Sequence, residues 1–326
     1  MRMHKILELD LVRIVEDAAI AASRLMGKGE KNEADDAAVV AMRERLNQLD
    51  INGTVVIGEG ERDEAPMLYI GEKVGTKQKG APEIDIAVDP LEGTNLCAAG
   101  ANNSVAVMAM AEKGGLLHAP DIYMNKLIVS PEAEGKVDIN APVKENLHAL
   151  AQALDRTVEE LVVVVLERDR HDDLIKEIRA TGARIRLIQD GDIMPAIAAT
   201  VHGPNVHAVM GVGAAPEGVL AASALKCLKG HMQANFVVRD DEDEKRLKAA
   251  GISDPTKVLT INDLAPGKNI LFAATGVTNG DMLTGVRFFG GGARAHTLVM
   301  SLQEGTYRFV DSIHALDRER LDTIFQ

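Results

Sequence analysis

The chain has 326 residues, 46% of them hydrophobic, enough for a substantial core and about right for two domains. Its 36 basic and 49 acidic residues leave a net charge of −13, which argues against nucleic acid as a partner. No apolar run is long enough to span a membrane, the N-terminal MRMHKILELD lacks an apolar signal core, and Cys97 and Cys227 share no CxxC or Cys/His spacing. These features predict a cytoplasmic protein with no membrane partner, no disulfide frame and no zinc site, its two thiols buried as small hydrophobes.

Leu7 to Met26 carries Leu7, Leu11, Ile14, Val15 and Ala18 at helical spacing and is predicted to be an amphipathic helix. GKGEKNEAD at 27–35 reads as a polar break, and Ala37 to Leu49 as a second helix. TVVIG (54–58), IDIAV (84–88) and SVAVMAMA (104–111) read as strands, close enough together to predict a mainly antiparallel sheet under helices, an α+β arrangement. After about residue 142 the pattern alternates. LVVVVLE (161–167), RIRLI (184–188) and VHAVMG (206–211) are predicted strands, each followed by a helix: His171 to Ala180, Ile193 to Ala199 and Gly218 to Leu228. That alternation predicts a doubly wound α/β layer, with ligands at the carboxyl ends of its strands. The expected domains are therefore 1–142 and 143–326. RDDEDEKR (239–246) reads as a solvated connection. MLTGVRFF and ARAHTLVMS read as a hairpin, with GGGARAH (290–296) as a flexible turn.

The carboxylates gather where these elements break. Asp35 and Asp36 open the second helix, and Glu59, Glu61, Asp63 and Glu64 follow TVVIG in GEGERDE. Asp89 and Glu92 follow IDIAV in VDPLEGT, and Glu217 starts a helix in GAAPEG. Alone, Asp35 or Asp36 is explained as an N-cap, GEGERDE as a solvated loop and Glu217 as a partner of the helix dipole. VDPLEGT is harder to reduce: Pro90 sets a turn, and the spacing of Asp89 and Glu92 can bring both to one side of it. Acidic clusters with almost no histidine nearby suit hard divalent cations such as Mn2+ or Mg2+, two or more of them, rather than zinc. Such ions serve phosphoryl displacement, and Thr94 is placed to orient the attacking water. Thr94, with Glu61 and Asp63 of the acidic loop, forms the catalytic candidate set. Asp85 has no assigned role.

VDPLEGT resembles the metal-binding signature of the lithium-sensitive, metal-dependent sugar phosphatases, which usually have Asp at the position of Glu92. KNEAD, VVIGEGERDEAPMLYIGEKVG, DIAVDPLEGT, APDIYMNKLIV, RH at 170–171, DGD and GAAPEG together resemble, in order, the bacterial class II fructose-1,6-bisphosphatases. The resemblance implies a layered sugar-phosphatase fold and metal ligands at Asp35, Glu59, Asp89, Glu92 and Glu217. It implies phosphate contacts at Glu92, Gly93 and Thr94, and a sugar-phosphate pocket lined by Tyr123, Arg168, Asp169, Arg170, Asp190, Gly191, Asp192 and Ala214. Ala214 stands where the family commonly has Gly, and Arg168 where Lys also occurs.

A bisphosphate needs a second anion site, and Arg168 and Arg170 would share one side of an extended segment. Asp190 and Asp192 can accept from sugar hydroxyls, and Asp192 also suits an N-cap of the next helix. Tyr123 reads as a wall, and the histidines, His171 and His296 included, as structural or solvated. GVGAAPEG has Pro216 at the third glycine of a dinucleotide fingerprint and is not one. The implied activity is metal-dependent hydrolysis of fructose 1,6-bisphosphate in gluconeogenesis, by a homo-oligomer (dimer or tetramer). The alternatives are a dual fructose/sedoheptulose bisphosphatase, an inositol-type monophosphatase, or a sugar-phosphate-binding regulatory protein.

Overall fold

The computed structural model describes residues 7–60 and 67–315. In chain order the first elements are α1 (Leu7–Ser23), α2 (Lys31–Leu46), β1 (Asn52–Ile57), β2 (Lys73–Val74), β3 (Glu83–Glu92), α3 (Thr94–Ala99) and β4 (Val105–Glu112). Next come β5 (Tyr123–Val129), α4 (Val143–Ala153), β6 (Val162–Leu166), α5 (Asp172–Ala180), β7 (Arg184–Ile188), α6 (Ile193–Ala198), β8 (Ala208–Ala214) and α7 (Ala215–Leu228). The chain continues with β9 (His231–Val237), α8 (Asp241–Ala249), β10 (Leu259–Thr260), α9 (Ile261–Leu264), β11 (Ile270–Gly276), β12 (Arg287–Phe289), β13 (Gly292–Ser301) and β14 (Thr306–Ala315). The described residues form two compact units: 7–60, 67–113 and 268–315 make one, and 114–267 the other.

The first unit holds an eight-stranded sheet ordered β12-β13-β11-β4-β3-β1-β2, with β14 paired to β13. It is mainly antiparallel, as expected; only the β1–β3 pair is parallel. Leu11, Ile14, Val15 and Ala18 of α1 are buried at the expected spacing, in one core with Ile84, Ile86 and Val88 of β3 and Met108 and Met110 of β4. Each such large side chain contributes roughly 1.5–3 kcal/mol. The expected hairpin forms as β12 and β13, so residues 292–296 of GGGARAH are strand rather than flexible turn. The tail from residue 268 belongs to this unit, not to a C-terminal domain, because β11 pairs with β4 along its whole length.

Glu16 is buried on α1 and faces β13 and β14. It accepts from Thr297 Oγ1 at 3.1 Å and lies 2.9 Å from His314 Nε2. The hydrogen bond to Glu16 holds the His314 imidazole above its ordinary value of 6.5. A raised folded pKa adds stability that is complete below the unfolded value and disappears as pH rises through the folded one. His314→Gln is therefore expected to lower the thermal midpoint clearly at about pH 5.5 and much less at about pH 9. Equal shifts at both pH values would reduce this pair to neutral packing.

The second unit holds a six-stranded sheet ordered β10-β9-β5-β8-β6-β7. The predicted α/β alternation is present, but only β8, β6 and β7 run parallel; β5, β9 and β10 add antiparallel neighbours. Strand β5 lies before residue 142 yet pairs with β8 and β9, so it is built into this unit. Leu147 and Leu150 of α4 and Ile175 and Ile178 of α5 share a core with Val163 and Val165 of β6. The sequence 239–246 is largely exposed, as expected, but it is a helix rather than a connection. It forms most of α8, started by Asp240, whose carboxylate accepts from the Glu242 and Asp243 N–H groups at 3.0 Å each.

The thiols behave as expected of buried groups. Burial pushes Cys97 up to about 11 and Cys227, half-buried, up to about 12, leaving both unreactive near neutrality.

Candidate functional site

In the first unit the described acidic candidates lie within the N-terminal part of α2, just past β1 and at the end of β3. VDPLEGT is not a tight turn. Strand β3 continues through Pro90 to Glu92, and its register against β4 slips by one residue between Asp89 and Glu92. This is a β-bulge, one of the few places where a strand accommodates proline. The chain turns at Gly93, whose φ of 79° a side chain would resist, and α3 begins at Thr94. The bulge brings a carboxylate oxygen of Asp89 within 4.8 Å of one of Glu92. Asp89 Oδ1 accepts from the Leu91 N–H at 3.1 Å, which fixes that carboxylate. Thr94 Oγ1 donates to the Leu91 carbonyl at 3.1 Å, so its oxygen lone pairs stay available as acceptors. Asp85 is buried in mid-strand, opposite Thr54 and Ala111.

Asp35 and Asp36 do not cap a helix: α2 starts at Lys31, and both lie within it. Lys, Glu and Ala propagate a helix well, which carries it back to residue 31, so that only 27–30 of the expected polar break remain non-helical. Asp35 hydrogen-bonds Glu59, which follows β1. Burial raises the Asp35 carboxyl above the usual carboxylate range; the bond to Glu59 opposes this, and Asp36 adds to it. Two carboxyls can hydrogen-bond only by sharing a proton, and a cation replaces that proton directly. Glu61, Asp63 and Glu64 lie outside the described residues.

In the second unit Glu217 sits in the first turn of α7, and its Oε2 is buried without a hydrogen-bond partner. Burial pushes Glu217 up to about 7; Lys126 opposes the rise and Asp192 adds to it. Lys126 Nζ donates to Asp192 Oδ2 at 2.7 Å, and both residues are buried. Asp192 stands at the N-cap position of α6, as expected, but its side chain answers Lys126 and makes no cap hydrogen bond there. Gly213 is required beside this pair, since a Cβ there would lie 2.6 Å from Asp192 Oδ2.

The two arginines do not share one side of an extended segment. Asp169–His171 is a 3-10 turn, so strand alternation does not apply. Arg168 donates to the carbonyls of Glu167 at 2.9 Å and Gln189 at 2.6 Å. Arg170 instead forks onto the Val212 carbonyl, at 3.1 and 2.8 Å, and stands 4.7 Å from the centroid of the Tyr123 ring. Asp169 is exposed, Gly191 adopts a φ of 76° beside Asp190, and Ala214 ends β8 opposite Tyr123. His171 is structural, as read: Nδ1 meets the Leu166 carbonyl at 2.7 Å, and Nε2 accepts from the Val212 N–H at 2.7 Å. Two further residues carry little signal of their own in the sequence. Lys126 lies in a mostly apolar strand, and Arg239 lies in a run of charges.

The donors fit a hard divalent cation. All are oxygens, and one buried carboxylate oxygen, Glu217 Oε2, has no hydrogen-bond partner. A separate guanidinium group suits an anionic substrate.

A family model described as bacterial fructose-1,6-bisphosphatase, glpX-encoded, matches residues 5–314. The D-fructose 1,6-bisphosphatase class 2/sedoheptulose 1,7-bisphosphatase of Gloeobacter violaceus is 55% identical, covering 97% of this chain and 97% of its own. The protein of the same name from Synechococcus elongatus is 55% identical, covering 97% of this chain and 98% of its own. Among solved structures, the extragenic suppressor protein suhB of Bartonella henselae matches at 13% identity and a TM-score of 0.35, covering 60% of this chain and 73% of its own. The chain belongs to the bacterial class II fructose-1,6-bisphosphatases, the glpX-encoded family.

Proposed function

We propose that this chain hydrolyses the 1-phosphate of fructose 1,6-bisphosphate, giving fructose 6-phosphate and inorganic phosphate. The observation that carries the reading is the 55% identity to class 2 bisphosphatases over 97% of the chain. Asp35, Glu59, Asp89, Glu92 and Glu217 would hold two or more Mn2+ or Mg2+ ions. When bound, such cations neutralise phosphate charge and acidify water. Thr94 accepts a hydrogen bond from the attacking water, because its own hydrogen is committed to the Leu91 carbonyl. Gly93, lacking a side chain, lets phosphate approach the backbone. Arg170 and Tyr123 face the phosphate that is kept, and Asp190 accepts from a sugar hydroxyl. Arg168, Asp169, Gly191 and Ala214 line the pocket, while Asp192 holds Lys126 beside Glu217. The enzyme works as a cytoplasmic homo-oligomer; no described helix is long and apolar enough to cross a membrane.

A second reading adds sedoheptulose 1,7-bisphosphate as a substrate, and the relatives' names favour it. Chelator-stripped protein is expected to release no phosphate until Mn2+ or Mg2+ is added. Its kcat/KM is then expected to be high for one or both bisphosphates and low for an inositol monophosphate. Phosphate release that persists in excess chelator would sink the metal-dependent mechanism.

A further inference from the structure

Tyr123 opens β5 between two neighbours, opposite Ala214 of β8 and Val237 of β9. Two guanidinium groups stand over its ring. Arg170 is tethered to the Val212 carbonyl of β8, and Arg239 comes from just beyond the end of β9; each has its Cζ 4.7 Å from the ring centroid. Both lie within the reach of a cation–π contact.

Arg239 is held in place before any ligand arrives. Its Nε donates to Asp243 Oδ2 at 2.8 Å, its Nη2 donates to Asp243 Oδ1 at 2.9 Å, and its backbone N–H donates to the same Oδ2 at 3.0 Å. Asp243 is buried, so this clamp is anchored in the fold. Arg239 Nη1 has no partner among the described residues, and the side chain is half exposed. Arg170 spends its donors on a carbonyl rather than a carboxylate, so the pair keeps a net positive charge. Two fixed guanidinium planes on one aromatic ring complement a dianionic phosphate, which accepts several charge-assisted hydrogen bonds at once. The carboxylate-rich ligand set cannot serve a second phosphate without cations, whereas this seat can.

We propose that Arg239 is a specificity-determining residue, forming with Arg170 and Tyr123 the seat of the phosphate that is not cleaved. The proposal rests on the bisphosphatase reading above. The competing reading is that the Arg239–Asp243 pair merely stabilises the start of α8.

The test compares wild type with Arg239→Met and Arg239→Lys on fructose 1,6-bisphosphate and on fructose 1-phosphate, which lacks the second phosphate. Loss of a charge-assisted contact predicts roughly a tenfold or larger rise in KM for the bisphosphate in Arg239→Met, with a smaller change in kcat. For fructose 1-phosphate the KM should move less than about threefold, and Arg239→Lys should recover only part of the loss, since it restores charge but not the planar fork. KM values that move equally for both substrates, or not at all, overturn the proposal. Titration calorimetry with fructose 6-phosphate repeats the test without turnover, and Arg239→Met should weaken binding by a similar factor. An inactive wild type whose fructose 6-phosphate binding is still weakened by Arg239→Met would overturn the hydrolytic reading and leave the seat standing. An active wild type whose binding is indifferent to Arg239→Met would overturn the seat alone.

Discussion

Asp89→Asn is expected to lower kcat for phosphate release from fructose 1,6-bisphosphate by roughly a thousandfold, about 4 kcal/mol of transition-state stabilisation. Asn keeps the shape of the side chain and can still accept the Leu91 N–H that now bonds Asp89 Oδ1. The bulge should therefore persist, and the loss should trace to charge rather than to folding. The expected signature is a thermal midpoint close to that of the chelated wild type, with activity that saturating Mn2+ or Mg2+ does not restore. Turnover within a few-fold of wild type at saturating cation would remove Asp89 from the ligand set. It would also weaken the case for Glu92, whose place beside Asp89 is the work of the same bulge.

The second large effect concerns stability. Lys126 and Asp192 form a buried ion pair at 2.7 Å, with Glu217 close enough to feel both charges. In Lys126→Met the Asp192 carboxylate stays buried without its partner, next to a second acid. Removing one member of a buried pair costs roughly 3–5 kcal/mol, which denaturant unfolding of the purified variant would read directly. Adding Asp192→Asn removes the stranded charge and should recover a large share of the loss, because the single substitutions are not additive when the groups touch. If Lys126→Met cost less than about 1 kcal/mol, water or a shifted proton would be compensating the charge, and the pair would have no structural weight.

Much of the architecture was legible from local pattern. Helix α1 announces its buried face through Leu11, Ile14, Val15 and Ala18, and Val55, Ile86 and Met108 fall in strands that read as continuous apolar runs. The alternation from 161 to 228 gave the right elements for the second unit. Partner choice was less legible. Nothing local says that β5 joins β8 and β9, or that β11 returns from the far end of the chain to β4, because strand pairing is decided by long-range register. Helix α2 began earlier than its apolar pattern suggested, since polar residues of good propensity extend a helix without leaving a hydrophobic mark.

The sequence by itself determined the chemistry of this protein. It placed oxygen donors at element ends, a hydroxyl after a glycine, and arginines past a strand, and the order of its motifs pointed to the family. Only the tertiary structure decided how those groups are used. It turned the bend at Pro90 into a bulge, gave the Asp192 carboxylate to Lys126 rather than to a cap hydrogen bond, separated Arg168 from Arg170, and brought Arg239 to Tyr123. The physical reason is range. Residue type and spacing set what a group can do within a turn or two of its own backbone. Burial, register and the nearest opposite charge come from segments far away in the chain, and these decide which of its possible bonds a side chain makes.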